Sequence, residues 1–413
     1  MSAKQSSAKK PASLQSSTAS KNPLINLQTI ERELSASLIE RDEVIRAAII
    51  ALLARQHLVI LGPPGTAKSA LIGEIARRIS PQTGAGLQSF SYLMTRFTTP
   101  EELFGPVSVS GLRNDEYRRI TTGKLAEAEL VFLDEIFKAS SAILNALLKI
   151  VNERVFNNGH QEIQVPLISL FGASNELPQG NDLEALWDRF LLRIKVGYTS
   201  DSGFSRLIRA AASRRTTNGK GTATHTSQPR ILSHSELLSL QQDVAQVVIS
   251  DATLSLIEQL RKDLAGKGIM ISDRRWGQML EVLQAHALIE GRDLVTEDDL
   301  TFLKHGLWQT PDQQTEIGKV IARLGNPLNS KAIDFGDQAA SVHRDGIQAH
   351  QSADTPDKKV AAAIEANGKL KTIVNKLQEL RGQAISQGKN TARIDKVIEQ
   401  VTAMREEFIN LAL

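Results

Sequence analysis

The stretch HLVILGPPGTAKS, His57 to Ser69, decides the fold. Its first half is an apolar run that reads as a buried strand. Its second half, Gly62 to Ser69, nearly spells the phosphate-binding pattern G-x-x-x-x-G-K-[ST], with Ala67 in place of the second glycine. A strand, a glycine-containing turn and a helix beginning near Lys68 bring several backbone N–H groups and a helix N-terminus to one point, where a phosphate fits. The expected nucleotide cradle is Gly62, Pro63, Pro64, Gly65, Thr66, Ala67, Lys68 and Ser69, with Ala70 and Leu71 opening the helix. Lys68 is expected to reach the terminal phosphates of a nucleotide as a point charge, and the Ser69 hydroxyl to ligate Mg²⁺. If position 67 requires a left-handed backbone, the alanine Cβ costs about 1–2 kcal/mol, roughly five- to thirtyfold in binding. With helical dihedrals it costs almost nothing.

Outward from this loop, residues 24–198 alternate short apolar runs with amphipathic stretches, the signature of an α/β layer with a largely parallel sheet. The strand candidates are LVILG (58–62), FSYLM (90–94), LVFLDE (130–135), LISLFGASN (167–175) and LLRIKV (191–196). Their apolar character suits strands covered by helices on both faces. LVFLDE sets Asp134 and Glu135 at the carboxyl end of a strand, where a parallel sheet opens its ligand crevice. Asp134 is expected to hold magnesium through water and Glu135 to polarise the attacking water, the two side chains diverging because they alternate along a strand. Asn175, ending the next strand, can hold the same water or the γ-phosphate.

The remaining chain divides by composition. Residues 1–23 are polar with lysines and no apolar segment, and read as a disordered arm rather than a signal. Residues 24–212 are the α/β core. The polar stretch 213–232 reads as a mobile loop. Apolar spacing of three and four over 233–309 predicts an all-α lid. Residues 310–356 read as an irregular linker, and 357–413 as a helical hairpin split at SQGKNT (386–391). No cysteine is present, which removes disulfides, thiol catalysis and Cys-built metal sites and fits a reducing, cytoplasmic compartment. The eight histidines lack ligand spacing. A net charge of +3 is too mild for a nucleic-acid binder, and no apolar run reaches the roughly 20 residues that span a bilayer.

GPPGTAKS, VFLDEI, GASNELP, LWDRFLLRI and SDRRW, in this order, resemble the AAA+ ATPases of the MoxR class, and within it the RavA-like branch. YLMTRFTTPEELFGP (92–106) and AILNALLKIVNER (142–154) follow that branch closely, and the resemblance covers roughly 24–308. It implies that alanine before the loop lysine is the ordinary form. It also implies that SLIERDEVIR (37–46) closes over adenine with Ile39 at the base. Arg189 is similar to the arginine finger that enters a neighbour's site, with Arg193 in reserve. Arg274 is similar to the second sensor contributed by the lid, with Arg275 as the alternative. The resemblance further implies a ring, a hexamer in the family, and a partner containing a von Willebrand factor A domain. Residues 105–125 and 155–166 resemble hairpin insertions that face substrate or partner. RavA-like proteins carry a large mixed extension where this chain has 357–413.

The leading reading is a Mg²⁺-dependent ATPase, ATP to ADP and phosphate, that remodels a protein partner in the manner of a chaperone. A nucleotide-gated scaffold and, with less support, a nucleic-acid motor remain as alternatives.

Overall fold

A computed structural model of the chain describes residues 22–79, 87–178, 180–217, 232–325, 327–352, 355–386 and 391–412. The arm assigned to 1–23 lies outside these residues except at its end. So does most of the loop assigned to 213–232.

Helix α1 (Pro23–Ser37) starts where the Asn22 side chain accepts from the Leu24 N–H and proline takes the first helical position. Helix α2 (Asp42–Leu53) is buried along almost its whole length, as a helix apolar on all sides must be. Strand β1 (Leu58–Leu61) runs into the glycine turn and α3 (Lys68–Arg78), followed by β2 (Ser89–Leu93), α4 (Pro100–Phe104) and α5 (Val109–Leu112). Strand β3 (Leu130–Asp134), α6 (Ser141–Glu153), the hairpin β4 (Val155–Asn158) and β5 (Gln161–Gln164), then β6 (Ser169–Ser174), α7 (Asn181–Arg189), β7 (Leu192–Lys195) and α8 (Asp201–Thr217) complete the core.

The sheet is parallel throughout, in the order β2-β3-β6-β1-β7. β1 and β6 sit in its interior and are fully buried, which accounts for their uninterrupted apolar sequences. β2 is one of the two edge strands. Ser89, Ser91 and Leu93 are exposed there, so the covered-strand pattern expected for 90–94 holds on one face only. The two expected insertions lean on each other: the Asn158 carboxamide accepts from the Arg119 N–H at 2.6 Å and donates to its carbonyl at 3.1 Å. Only a single bridge, Val107 to Arg119, makes a hairpin of the first, because α5 fills its tip.

The lid comprises α9 (His234–Val244), β8 (Val248–Ile249), α10 (Asp251–Gly266), α11 (Asp273–Ile289), β9 (Leu294–Val295), a 3₁₀ stretch Glu297–His305 and α12 (Gln313–Gly325). One continuous hydrophobic cluster runs from Leu27 through the core and the lid to Ile321. Polar ties reinforce it: Glu43 of α2 meets Lys304 at 2.6 Å and His305 at 3.2 Å, and the hydrogen bond from His305, helped by the charge of Lys304, holds its carboxyl well below the usual range.

Of residues 310–356, expected to be irregular, Gln313–Gly325 and Pro327–Ser352 are instead helical. α12 belongs to the lid core through Ile317, Val320 and Ile321. α13 (Pro327–Ser352) joins α14 (Pro356–Ser386) and α15 (Ala392–Ala412), so the hairpin expected over 357–413 is two-thirds of a three-helix bundle. Its own core holds Ala332, Ala339, Leu370, Leu377, Val401 and Phe408. The α13 signal is faint because three of its four buried positions among the described residues, Ala332, Ala339 and Gly346, are small and contribute little apolar contrast.

Candidate functional site

The parallel strands deliver their carboxyl ends to one crevice. Gly62 follows β1, and its N–H donates to the Ser174 carbonyl of β6 at 3.0 Å. A Cβ on Gly62 would stand 2.3 Å from the Val196 carbonyl oxygen, so this position admits glycine alone. The Thr66 hydroxyl donates to the Pro63 carbonyl at 2.9 Å and tightens the loop. Ala67 has φ 63° and ψ 24°, so the left-handed alternative is the one realised and its Cβ carries the cost.

Lys68 is buried, and its Nζ donates to the Gly62 carbonyl at 2.6 Å and the Pro63 carbonyl at 3.1 Å. Burial lowers its pKa, and the nearby charges of Asp134 and Glu135 oppose that shift. The Ser69 hydroxyl donates to Asp134 Oδ2 at 2.8 Å. The motif lysine and serine and both acids therefore meet at one place, although Lys68 and Asp134 are 66 positions apart.

Asp134 and Glu135 do not diverge by strand alternation. Asp134 ends β3, and Glu135 turns left-handed at φ 53° and ψ 41°, its N–H held by Asp134 Oδ1 at 3.0 Å. The two carboxylates meet different partners, Asp134 the Ser69 hydroxyl and Glu135 the Lys138 ammonium. Lys138, which sequence reasoning passed over, stands 3.3 Å from Glu135 Oε2; its spacing of three was the available signal. Asn175 follows Ser174, the register partner of Leu61, and so stands exposed beside the start of the loop.

On the other flank a cleft of about 270 Å³ opens between the loop and α8. Ile39, Arg41, Gly65, Tyr198 and Leu207 are among its walls. Ile39 thus lines this cleft, beside Tyr198 and Leu207, which were not foreseen.

The four candidate arginines gather at the opposite end of the sheet. Arg189 ends α7, three residues before Leu192, which pairs with Leu58 at the start of β1. Arg274 reaches Asn152 at 3.2 Å and Asp188 at 3.5 Å. Asn152 lies near the C-terminal end of α6, two residues before Arg154, which donates to the Arg55 carbonyl at 2.9 Å ahead of β1. Arg274 therefore does not join Lys68 within its own chain.

The two reserve residues are structural. Arg193 is fully buried, donating to Trp187, Phe190 and Trp308 carbonyls and stacking over the Trp187 ring at 4.4 Å. Desolvation pushes its pKa down to about 8. Arg275 is also buried, bonded to the Gly306, Asp188, Phe190 and Leu191 carbonyls, and is pushed down to about 10 by burial. These two fasten the lid to the core. Arg189 and Arg274 are the pair that reaches solvent, with side chains 28% and 44% exposed.

A parallel sheet with this strand order, a phosphate loop joining β1 to α3, an acidic pair on the neighbouring β3 and a helical lid define a nucleotide-binding protein of the AAA+ ATPase superfamily. The family profile described as "MoxR domain in the MoxR-vWA-beta-propeller ternary systems" matches residues 25–241, and an AAA lid domain profile matches 252–321. The chain belongs to the MoxR family of AAA+ proteins.

An uncharacterized protein of Methanocaldococcus jannaschii is 35% identical over 389 residues, covering 92% of this chain and 98% of its own. That coverage leaves too few residues outside for the C-terminal bundle to be missed. Chaperone MoxR1 of Mycobacterium tuberculosis is 24% identical over 314 residues, or 69% of this chain and 77% of that protein. A crystal structure from Cytophaga hutchinsonii shares the fold at a TM-score of 0.56 and 16% identity, covering 73% of this chain and 94% of that one.

The donor set fits Mg²⁺. Among the described residues no group of three or more His, Cys, Asp or Glu could hold a metal alone. A hydroxyl and a carboxylate side by side are hard oxygen donors, and magnesium commonly takes one or two protein ligands with the rest from phosphate and water. Among the described residues no helix is long and apolar enough to cross a membrane.

Proposed function

We propose that the chain is a ring-forming, Mg²⁺-dependent ATPase that couples hydrolysis of ATP to ADP and phosphate to remodelling of a protein partner. The observation that carries this reading is the convergence of Lys68, Ser69, Asp134 and Glu135, fixed by the 2.8 Å bond between Ser69 and Asp134. Loop N–H groups and Lys68 bind the phosphates, and Ser69 and Asp134 hold the metal, which when bound neutralises charge on the transferred phosphoryl group. Glu135 accepts a proton from the attacking water, and Asn175 orients that water. Ile39 contacts the base.

Because Arg189 and Arg274 stand at the end of the sheet remote from their own loop, both would serve the site of an adjacent copy, Arg189 as finger and Arg274 as sensor. This supports a ring, and the family's usual arrangement makes it a hexamer. The partner is a von Willebrand factor A protein, in keeping with the ternary systems named by the matching profile. RavA-like identity, chaperone action and a cytoplasmic setting belong to the same proposal.

Mixing tests it. Arg189→Ala subunits keep their own pockets and Lys68→Ala subunits keep their arginines, so mixed rings should hydrolyse ATP where neither variant does alone. No recovery on mixing would refute a finger acting in trans. Glu135→Gln separates remodeller from scaffold: partner function that survives without turnover favours the scaffold.

A further inference from the structure

Glu40 and Arg41 lie between the base cleft and the phosphate loop and have no role in the chemistry above. Arg41 is 9% exposed, and its guanidinium spends its donors on three separate segments. Nε donates to the Thr66 carbonyl of the phosphate loop at 3.1 Å, Nη1 to the Glu40 carbonyl at 2.7 Å, and Nη2 to the Gly197 carbonyl, just ahead of α8, at 3.0 Å. Glu40 turns left-handed at φ 56° and sends its carboxylate the other way. Its Oε2 accepts from the Ser200 N–H at 2.8 Å and its Oε1 from the Ser200 hydroxyl, at the N-terminus of α8. Those bonds from Ser200 hold the Glu40 carboxyl below its ordinary range. Gly203, in the first turn of α8, makes room: a Cβ there would stand 2.3 Å from Glu40 Oε1.

The two adjacent side chains thus fasten one turn to the phosphate loop and to α8 at once. Strained non-glycine turns persist where the surroundings over-determine them, and here both side chains do so. The Thr66 carbonyl belongs to the peptide whose N–H is that of Ala67, so holding the carbonyl also fixes a donor of the phosphate cradle. α8 contributes Leu207 to the cleft and is the last described element before the lid. We propose that Glu40 and Arg41 are a positioning pair that couples the phosphate loop to α8, so that a nucleotide seated in the cleft fixes α8. This rests on the reading of the cleft as a nucleotide site. Arginine is required, because a lysine ammonium offers no planar fork to reach three fixed carbonyls.

The test is hydrogen exchange of α8 peptides with and without saturating ADP and Mg²⁺ on the full chain, beside ADP titrations. In the unmodified protein ADP should slow α8 exchange. Arg41→Lys should bind ADP about tenfold or more weakly, the scale of one lost charge-assisted bond, and at saturation should leave α8 unprotected. Glu40→Ala removes the α8 cap while sparing the Arg41 bonds, and it too should lose α8 protection; it decides the matter if Arg41→Lys does not fold. Wild-type protection of α8 at saturating ADP in either folded variant overturns the coupling. Normal ADP binding with no α8 response in the unmodified protein overturns it while leaving the nucleotide reading intact. Failure of the unmodified protein to bind ADP refutes both.

Discussion

Replacing Ala67 by glycine should stabilise the core. Ala67 is exposed and left-handed at φ 63°, so its methyl group meets the steric cost of that region and gains little packing in return. An L-residue there costs about 1–2 kcal/mol. Glycine removes that cost but adds freedom to the unfolded chain, roughly 0.4–1 kcal/mol in the opposite direction. The net gain centres on about 0.8 kcal/mol, between limits of about 0 and about 1.6 kcal/mol. For a unit of about 150–250 residues that raises Tm by roughly 1–4 °C. Calorimetry of the full chain beside ADP titration measures both sides: the core transition should rise, and ADP affinity should change by less than about threefold, because the loop backbone is the same in both proteins. A lowered Tm refutes the strain argument. An affinity gain of about five- to thirtyfold without a Tm shift would mean that the nucleotide, and not the fold, imposes the left-handed turn.

Gly62→Ala should cost the core more than about 2 kcal/mol and abolish nucleotide binding, since the new Cβ would press on the Val196 backbone; circular dichroism on heating and ADP titration check it. His57 is buried between the Leu170 N–H at 3.0 Å and the Val151 carbonyl at 3.2 Å, and burial, with Arg154 nearby, lowers its pKa to about 3. Between about pH 6.5 and 3 the unfolded chain binds a proton that the native chain refuses, so stability falls as pH drops through that window. Denaturant titrations at stepped pH should show this slope, flattened in His57→Gln. Phe408→Ala should destabilise the C-terminal bundle by about 3–5 kcal/mol, because Phe408 is fully buried there. The bundle core is separate from the cluster shared by core and lid, so basal ATP turnover should hold while helicity is lost in a distinct, earlier transition.

Much of the site was legible because its parts are contiguous in sequence. The loop from Gly62 to Ser69 is one segment, and LVFLDE declares its strand and its acids together. The terminal pair of arginines was only half legible. Arg189 and Arg193 look alike as letters, as do Arg274 and Arg275; burial separates them, since Arg193 and Arg275 each meet several backbone carbonyls from distant elements. The stretch 310–356 was misread for a related reason. A helix packed largely through small residues, as α13 is at Ala332, Ala339 and Gly346, shows its face only when its partner helices are present.

By itself, then, the amino-acid sequence determined an α/β nucleotide fold, the loop, the acidic pair and a helical lid, because strand periodicity and phosphate cradling are local properties of the chain. Only the tertiary structure decided that Ala67 and Glu135 are left-handed, that Arg274 stands with Arg189 and away from Lys68, and that Glu40 and Arg41 bind the loop to α8. The last two depend on which backbone groups and side chains the fold brings within hydrogen-bonding or ion-pair reach of one another. Contacts between residues as far apart as Arg41 and Gly197 leave no period in the sequence to read.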